Sequence, residues 1–466
     1  MKSRFTFALY GLVLLFAVPA MAEPAMSCHV GTYRLADGSV VDIAPSDRDT
    51  LRWRILTGET GQLHKQMNGM WTSTYGWTGR PDGKRVSFSD CDKGKIAFGK
   101  ESGRRIPFIV SNTTFESGGV KLVGRLIMPP GNGKVPVVVL IHGSEDSSGI
   151  DTLFLQRIFP AQGIGAFVYD KRGTGRSGGV YTQDYNLLAA DAVKALSEAR
   201  RLAGARLARI GYWGGSQGGW VVPLAVNKAP VDFAIIAYGL AVNVIDEDQE
   251  SVALDMHFHH HSAADTAKAL ELASAGEHVV ATHGVDGYAR FDALRQKYKS
   301  EPWYKDVHGD YLFMVLPLDQ KQIIQMVKPF AATPFNYDPM PVLRVSTTPQ
   351  LWILGGDDLD APSAETSRRI KSLIAEGKNF MLAIYPGAEH GMTLYELDAK
   401  GERLSTRYAP GYFQLMADFI KSGRIGNHYG GAEITRPIKR SLRSVKESAT
   451  GLGYPASSSI ADLERQ

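Results

Sequence analysis

Apolar and polar positions divide the chain into two regimes. In the first, apolar residues alternate with polar ones in short runs. Examples are Gly31-Thr32-Tyr33-Arg34-Leu35, Ser39-Val40-Val41-Asp42-Ile43, Leu51-Arg52-Trp53-Arg54-Ile55 and Met70-Trp71-Thr72-Ser73-Thr74-Tyr75. Val86-Ser87-Phe88 and Lys95-Ile96-Ala97-Phe98 continue the series. A period of two puts every second side chain on one face, as in a half-buried strand. Asp37-Gly38 and Asp82-Gly83 fall between runs and read as hairpin turns. The pattern predicts a small antiparallel β domain over residues 23–106. Trp53, Trp71 and Trp77 read as core aromatics of that domain, with a sugar-binding face as the alternative.

From residue 107 onward the period changes. Thr113–Glu116 and Val120–Met128 read as an antiparallel pair across Gly118-Gly119. Pro136–Ile141 is a continuous apolar run, the mark of a strand buried on both faces. Strand Ala166–Tyr169, helix Asn186–Leu202, strand Ala208–Trp213, helix Trp220–Asn227 and strand Phe233–Tyr238 then alternate. Such alternation predicts an α/β fold with a mostly parallel sheet flanked by helices. Residues 240–340 interrupt it with two helical segments, Ala263–Ser274 and Gly287–Lys299. Strands at Gln350–Leu354 and Asn379–Tyr385 and a helix at Gly411–Lys421 resume it. The predicted division is 107–239 plus 341–422 for the α/β domain, 240–340 for an insert and 423–466 for an extended C-terminal extension.

Composition narrows the partners. The chain has 466 residues and a formal charge of +4, with no basic stripe, so no nucleic-acid partner is expected. Met1-Lys2-Ser3-Arg4, the apolar stretch Phe5–Val18 and Ala20-Met21-Ala22 form a signal-peptide pattern, cut after Ala22. The expected location is periplasmic or secreted, with no stable membrane span after cleavage. The two cysteines, Cys28 and Cys91, are then exported and predict one disulfide. His257, His259, His260 and His261 lack acidic ligands at a clear spacing and predict no metal site.

The chemistry sits at strand ends. Gly214-Gly215-Ser216-Gln217-Gly218 stands between an apolar strand and a helix, the context in which a sharp turn exposes a serine hydroxyl. A second match, Gly175-Arg176-Ser177-Gly178-Gly179, lies in a polar loop and fails that test. Ser216 is therefore the candidate nucleophile. Asp357 and Asp358 end the strand Gln350–Leu354, and His390 follows the strand Asn379–Tyr385. Serine, acid and histidine in that chain order belong to α/β-hydrolases, not to chymotrypsin-like or subtilisin-like enzymes. The backbone amide of Gln217 and one from the loop His142-Gly143-Ser144 are the candidate oxyanion donors. Ser144 is preferred and Gly143 is the fallback; His142 reads as structural.

Together these pieces resemble the α/β-hydrolase superfamily, and more narrowly bacterial serine carboxylesterases related to the prolyl oligopeptidase branch. The resemblance rests on His142-Gly143-Ser144, Asp170–Ser177, Gly214–Gly219, Gly356–Pro362 and Pro386–Gly391, and covers about residues 107 to 422. It implies that 240–340 is a cap over the active site. It prefers Asp358 as the triad acid, because Asp358-Leu359-Asp360-Ala361-Pro362 fits the family register; Asp357 is the alternative. In relatives with the acid after the sixth strand, Asp246 or Asp248 would take the role. Arg172 and Arg176 are expected to pair with Asp170 or a neighbouring carboxylate. The implied activity is hydrolysis of a small-molecule ester through an acyl-enzyme, with no cofactor. Alternatives are a serine peptidase of the acyl-peptide hydrolase or aminopeptidase type, a thioesterase, or a catalytically idle scaffold. The N-terminal region is too short for the large propeller of the peptidase relatives. Oligomeric state and the natural acyl and alcohol groups are not encoded in any motif.

Overall fold

A computed structural model describes residues 28–90 and 93–437. The signal-peptide residues, Cys91 of the expected Cys28–Cys91 disulfide, and residues 438–466 of the C-terminal extension lie outside them.

The alternating N-terminal runs form a closed antiparallel barrel of eight strands. In order these are β1 (Gly31–Leu35), β2 (Val40–Pro45), β3 (Thr50–Ile55), β4 (Thr60–Lys65), β5 (Trp71–Tyr75), β6 (Pro81–Phe88), β7 (Lys95–Phe98) and β8 (Glu101–Arg105). Pairing of β1 with β8 closes the barrel and leaves no open edge. The inward positions of the sequence pattern, among them Tyr33, Val41, Leu51, Leu63, Trp71 and Val86, build a core of their own. Trp53 and Trp71 are buried in it. Trp77 instead stands at the border, stacked under the Arg52 guanidinium and edge-on to Tyr408.

The second unit is a nine-stranded sheet in the order β19-β16-β15-β14-β13-β11-β12-β10-β9. Its strands are β9 (Ile109–Ser117), β10 (Val120–Met128), β11 (Val135–Ile141), β12 (Gly165–Tyr169), β13 (Leu207–Gly215), β14 (Phe233–Ala237), β15 (Gln350–Gly355), β16 (Phe380–Tyr385) and, after a separate hairpin of β17 (Thr393–Leu397) and β18 (Arg403–Tyr408), β19 (Glu433–Thr435). From β12 to β16 neighbours run parallel, while β9, β10 and β19 pair antiparallel at the edges. β19 is a difference from the sequence reading, which expected only an extended tail beyond Ser422. Three residues carry too little periodicity to announce a strand; the free edge of β16 supplies its partner.

Helices cover both faces, as buried parallel strands require. After the short α1 (Gly149–Thr152), α2 (Leu155–Ala161) lies on one face. α3 (Tyr185–Ala203) and α4 (Gly218–Lys228) lie on the other. The insert between β14 and β15 holds α5 (Val244–Phe258), α6 (Ala263–Ala281), α7 (Tyr288–Tyr298), α8 (Asp310–Val315), α9 (Gln320–Met326) and α10 (Met340–Val345). Its Val252, Met256, Leu272 and Phe291 share one continuous apolar core with the α3–α4 face of the sheet. α11 (Ser363–Ala375) follows β15, and α12 (Tyr412–Ser422) closes the α2 face.

The barrel docks through polar contacts beside Leu56 and Trp77, which pack against the apolar core of the α2 face. Asp42, fully buried, receives the Arg157 guanidinium of α2 at 2.7 and 3.1 Å and the Thr32 hydroxyl at 3.2 Å. The Trp77 amide donates to the Ser405 carbonyl at 2.8 Å, the Tyr408 amide to the Gly58 carbonyl at 2.9 Å, and Arg54 Nε to the Tyr408 hydroxyl at 3.1 Å. The β17–β18 hairpin is thus the seat of the barrel.

Candidate active site

Ser216 stands at the carboxyl end of the central strand β13, between the strand and α4. Its φ of 52° is left-handed, a conformation a side-chain-bearing residue adopts at a cost of roughly 1–3 kcal/mol. The surroundings hold it there. Its amide donates to the Ala237 carbonyl of β14 at 3.1 Å. A Cβ on Gly214 would lie 2.6 Å from Val222, and one on Gly219 would lie 2.6 Å from the Leu240 amide nitrogen. Glycine at those two positions lets strand and helix pack closely enough to form the turn. Gln217, the N-cap of α4, places its amide at the positive end of an eleven-residue helix.

Asp358 and His390 are brought together. His390 Nδ1 lies 3.0 Å from Asp358 Oδ2 and 3.2 Å from Oδ1. Asp358 is buried, and its Oδ1 also accepts the Ala361 amide at 2.8 Å and the Asp360 amide at 3.0 Å. Burial raises its carboxyl above the ordinary value despite the opposing pull of His390. On the imidazole, burial acts downward but is outweighed by the Asp358 charge and hydrogen bond, then by Asp360 and Asp310; the net result is a rise to about 9. His390 opens a tight turn after β16 in which Gly391 and Met392 have φ of 76° and 67°.

Asp357 faces elsewhere: its Oδ2 accepts the Tyr395 hydroxyl at 2.8 Å. Asp246 lies in the first turn of α5, its amide donating to the N-cap Asn243 at 2.8 Å and its carboxylate accepting the Asn243 amide group at 3.1 Å, and Asp248 accepts the Tyr311 amide at 2.8 Å. Of the four weighed acids, Asp358 is the one on the histidine.

Tyr238 was not singled out by the sequence. It follows β14 with a φ of 41°, and its ring lies edge-on to His390 at 4.9 Å between centroids. Its hydroxyl would meet a Cβ on Gly215, the residue before Ser216, at 2.6 Å. Tyr238 therefore spans from the Ser216 turn to the imidazole. The only signal for it was its place at the end of a buried strand.

The loop after β11 abuts Ser216: a Cβ on Gly143 would lie 3.4 Å from Ser216 Cβ. Lys171 Nζ donates to the Gly143 carbonyl at 2.6 Å, and the Tyr181 hydroxyl donates to the Ser144 carbonyl. A trans peptide sets its N–H opposite its C=O, so the Ser144 amide points away from Lys171. His142 is structural: buried, it accepts the Lys171 amide at 3.3 Å and lies 3.2 Å from Glu145. Burial by itself would raise Glu145, but His142 and Lys171 bring it down to about 2. Lys171, buried beside it, is lowered to about 8 by desolvation. Neither Glu145 nor Lys171 was a sequence candidate.

Arg172 forms a buried bidentate pair with Asp191 at 2.7 and 2.6 Å, and Arg176 meets Asp151 at 2.9 Å. Ser177, the rival motif serine, donates to the Asp170 carbonyl and accepts the Val123 amide, which is loop architecture. Among the described residues there is no group of three or more His, Cys, Asp or Glu placed to hold a metal ion, and no helix is long and apolar enough to cross a membrane.

Known proteins resemble parts of this chain. Residues 134–305 match the family described as Serine aminopeptidase, S33. The chain is 31% identical over 185 residues to Esterase FrsA of Enterobacter sp. (strain 638), covering 37% of this chain and 44% of that protein. The aligned part thus spans less than half the length of that relative. Among solved structures, the Pyrococcus furiosus esterase Pf2001 aligns over 61% of this chain and 84% of its own at 16% identity and a TM-score of 0.40. The Pyrococcus horikoshii acylaminoacyl peptidase aligns over 84% of this chain and 57% of its own at 14% identity and a TM-score of 0.40.

Proposed function

We propose that this chain, an α/β-hydrolase, is a serine hydrolase that cleaves carboxylic esters through an acyl-enzyme on Ser216. The observation that carries the reading is the His390–Asp358 hydrogen bond, set on the same sheet edge as a serine held at positive φ. Nδ1–H of His390 donates to Asp358, which leaves Nε2 as the base. Nε2 takes the Ser216 proton as Oγ adds to the ester carbonyl. The amide of Gln217 and that of Ser144 or Gly143 hold the oxyanion. The imidazolium returns its proton to the departing alkoxide. Water, deprotonated in the same way, then releases the acid and restores Ser216.

The test is hydrolysis of a short p-nitrophenyl ester. Ser216→Ala should lower kcat by several orders of magnitude, and a fluorophosphonate should label Ser216 and no other serine. Unchanged turnover by Ser216→Ala would end the reading. The base must be neutral, and its pKa stands at about 9. The kcat/KM for a neutral ester should therefore rise with pH through about 9, not level off near 7.

A second reading keeps the triad and changes the bond. The family matched by residues 134–305 is described as a serine aminopeptidase. Comparing an aminoacyl anilide with an aryl ester separates the two. The basic, apolar, small–x–small start supports export to the periplasm or medium. Fractionation of cells expressing the full chain tests that.

A further inference from the structure

We propose that Tyr181 and Gln183 are positioning residues of the Ser216 site: a side-chain bridge through them ties the two oxyanion donors, Gln217 and Ser144, to one another at a fixed separation. The proposal rests on the Ser216 hydrolase reading and adds to it two residues that touch no substrate.

The two donors of that reading belong to different loops. Gln217 follows Ser216 at the start of α4, and Ser144 follows β11. One oxyanion is held by both amides only while the two backbones keep their spacing. Residues 181–184, which lead into α3, span the gap. The Gln217 side-chain amide donates to the Gln183 side-chain oxygen, Gln183 Nε2 donates to the Tyr181 hydroxyl, and that hydroxyl donates to the Ser144 carbonyl. Every link points the same way, so each bond polarises the next. Burial, then the Asp146 and Glu145 charges, raise the Tyr181 hydroxyl above its ordinary value, which keeps it a donor.

Both ends of the bridge are held. Gln217 and Gln183 are buried. Gln217 Oε1 has no partner among the described residues, so among them the Gln183 bond alone anchors this side chain. At the other end, both peptide planes that flank Ser144 are gripped by their oxygens. Lys171 Nζ takes the Gly143 carbonyl at 2.6 Å, and Tyr181 takes the Ser144 carbonyl. A planar trans peptide ties the direction of its N–H to that of its C=O. Lys171 thus sets the Ser144 N–H, and Tyr181 secures the plane that follows it. Lys171 Nζ also lies 5.0 Å from the centre of the Tyr181 ring, which joins the two grips.

The bridge stands on a fixed base. The Asp184 amide donates to the Thr182 hydroxyl at 3.1 Å, and the Asp184 carboxylate caps α3 through the Leu187 amide at 3.0 Å. The Tyr185 ring stacks on Trp220 of α4 at 5.0 Å and 12°. Gln183 and Tyr185 therefore grip the start of α4 at Gln217 and at Trp220. Negative charge on the oxyanion peaks in the transition state, so donors held in place act there and little in the ground state. A misplacement of about 1 Å costs on the order of a hundredfold in rate.

Tyr181→Phe removes one oxygen, and Gln183→Met keeps the side-chain length but removes both hydrogen-bonding groups. With a p-nitrophenyl ester, each should lower kcat by about tenfold or more and leave KM within about threefold. Labelling of Ser216 by a fluorophosphonate should slow in step, because its phosphoryl oxygen takes the same donors. The links act in series, so the double variant should match the worse single one; a multiplied loss overturns the bridge. A lowered thermal midpoint with kcat and labelling within about threefold of the wild type also overturns it, since that is all a structural contact would give. Tyr181→Phe, a half-buried position losing a single atom, keeps the test decisive if Gln183→Met fails to fold. Slowed labelling in a protein that hydrolyses no ester sustains the bridge and sinks the ester reading alone. Ser216-dependent ester hydrolysis that both variants retain sinks the bridge alone.

Discussion

Two additions flank the nine-stranded sheet, and they are attached in different ways. The barrel keeps its own apolar core and meets the α/β domain through Asp42–Arg157, Arg54–Tyr408, backbone bonds to the β17–β18 hairpin and the packing of Leu56 and Trp77. The cap has no separate core: Val252, Met256, Leu272 and Phe291 belong to the cluster that also holds Leu188 and Val222 of the catalytic domain. A module with its own core can be lost without unfolding its neighbour, whereas an insert that shares a core cannot. Both reach the site. The cap lies on the loop of Asp358, where the Ser251 hydroxyl of α5 donates to the Leu359 carbonyl. The barrel holds the hairpin whose Ser405 hydroxyl bonds Glu389, the residue before His390.

The largest effect is expected at the polar junction. Asp42→Ala leaves Arg157 facing a buried site without its partner, a change that typically costs about 3–5 kcal/mol. Denaturant unfolding should show that loss, with the barrel released first; a single unshifted transition would mean the junction carries little.

Matched core truncations sharpen the contrast. Leu63→Ala in the barrel and Leu272→Ala in the cap each empty a fully buried site and should cost about 2–5 kcal/mol. The first should split off an early transition while Ser216-dependent turnover persists through it. The second should shift the main transition and turnover together. Coincident transitions in both variants would show that the barrel is not independent.

A smaller effect is built into the cap. Asp248 on α5 and Glu277 on α6 are buried together, with Gln249 donating to Glu277 at 2.9 Å and the Tyr311 amide to Asp248. Burial, and for Glu277 the neighbouring Asp248 charge, raise the pair to about 6 and about 8. Both values exceed those of the unfolded chain, so the folded cap holds protons that the unfolded one releases. The stabilisation is complete below about pH 4 and is lost as pH rises through 6 and 8. The midpoint of thermal unfolding should fall between pH 5 and 9, and Glu277→Gln should flatten that slope. An unchanged slope would remove the pair as its cause.

Much of this was legible in residues. Ser216, Asp358 and His390 stood at strand ends because buried parallel strands are continuous apolar runs, and the glycines beside Ser216 marked a turn that needs close packing. The alternation before residue 107 announced antiparallel strands. It did not announce closure, since pairing of β1 with β8 joins residues about seventy apart and depends on twist accumulated over the whole sheet. Tyr238 and Glu145 carried no motif, and Lys171 lay within Asp170–Ser177 with no role attached, because their contacts with His390, Lys171 and Gly143 join separate loops.

What the chain by itself determined is the order of strands and helices, the strand-end chemistry and the turn that presents Ser216, all consequences of local period and of residues within one element. The tertiary structure decided which of the adjacent Asp357 and Asp358 side chains faces the imidazole, that an isolated triplet near the C-terminus completes the sheet, and that a helix of the insert meets the Asp358 loop. Those outcomes depend on the direction in which a side chain leaves the backbone and on contacts across long loops. Neither is encoded in spacing along the chain.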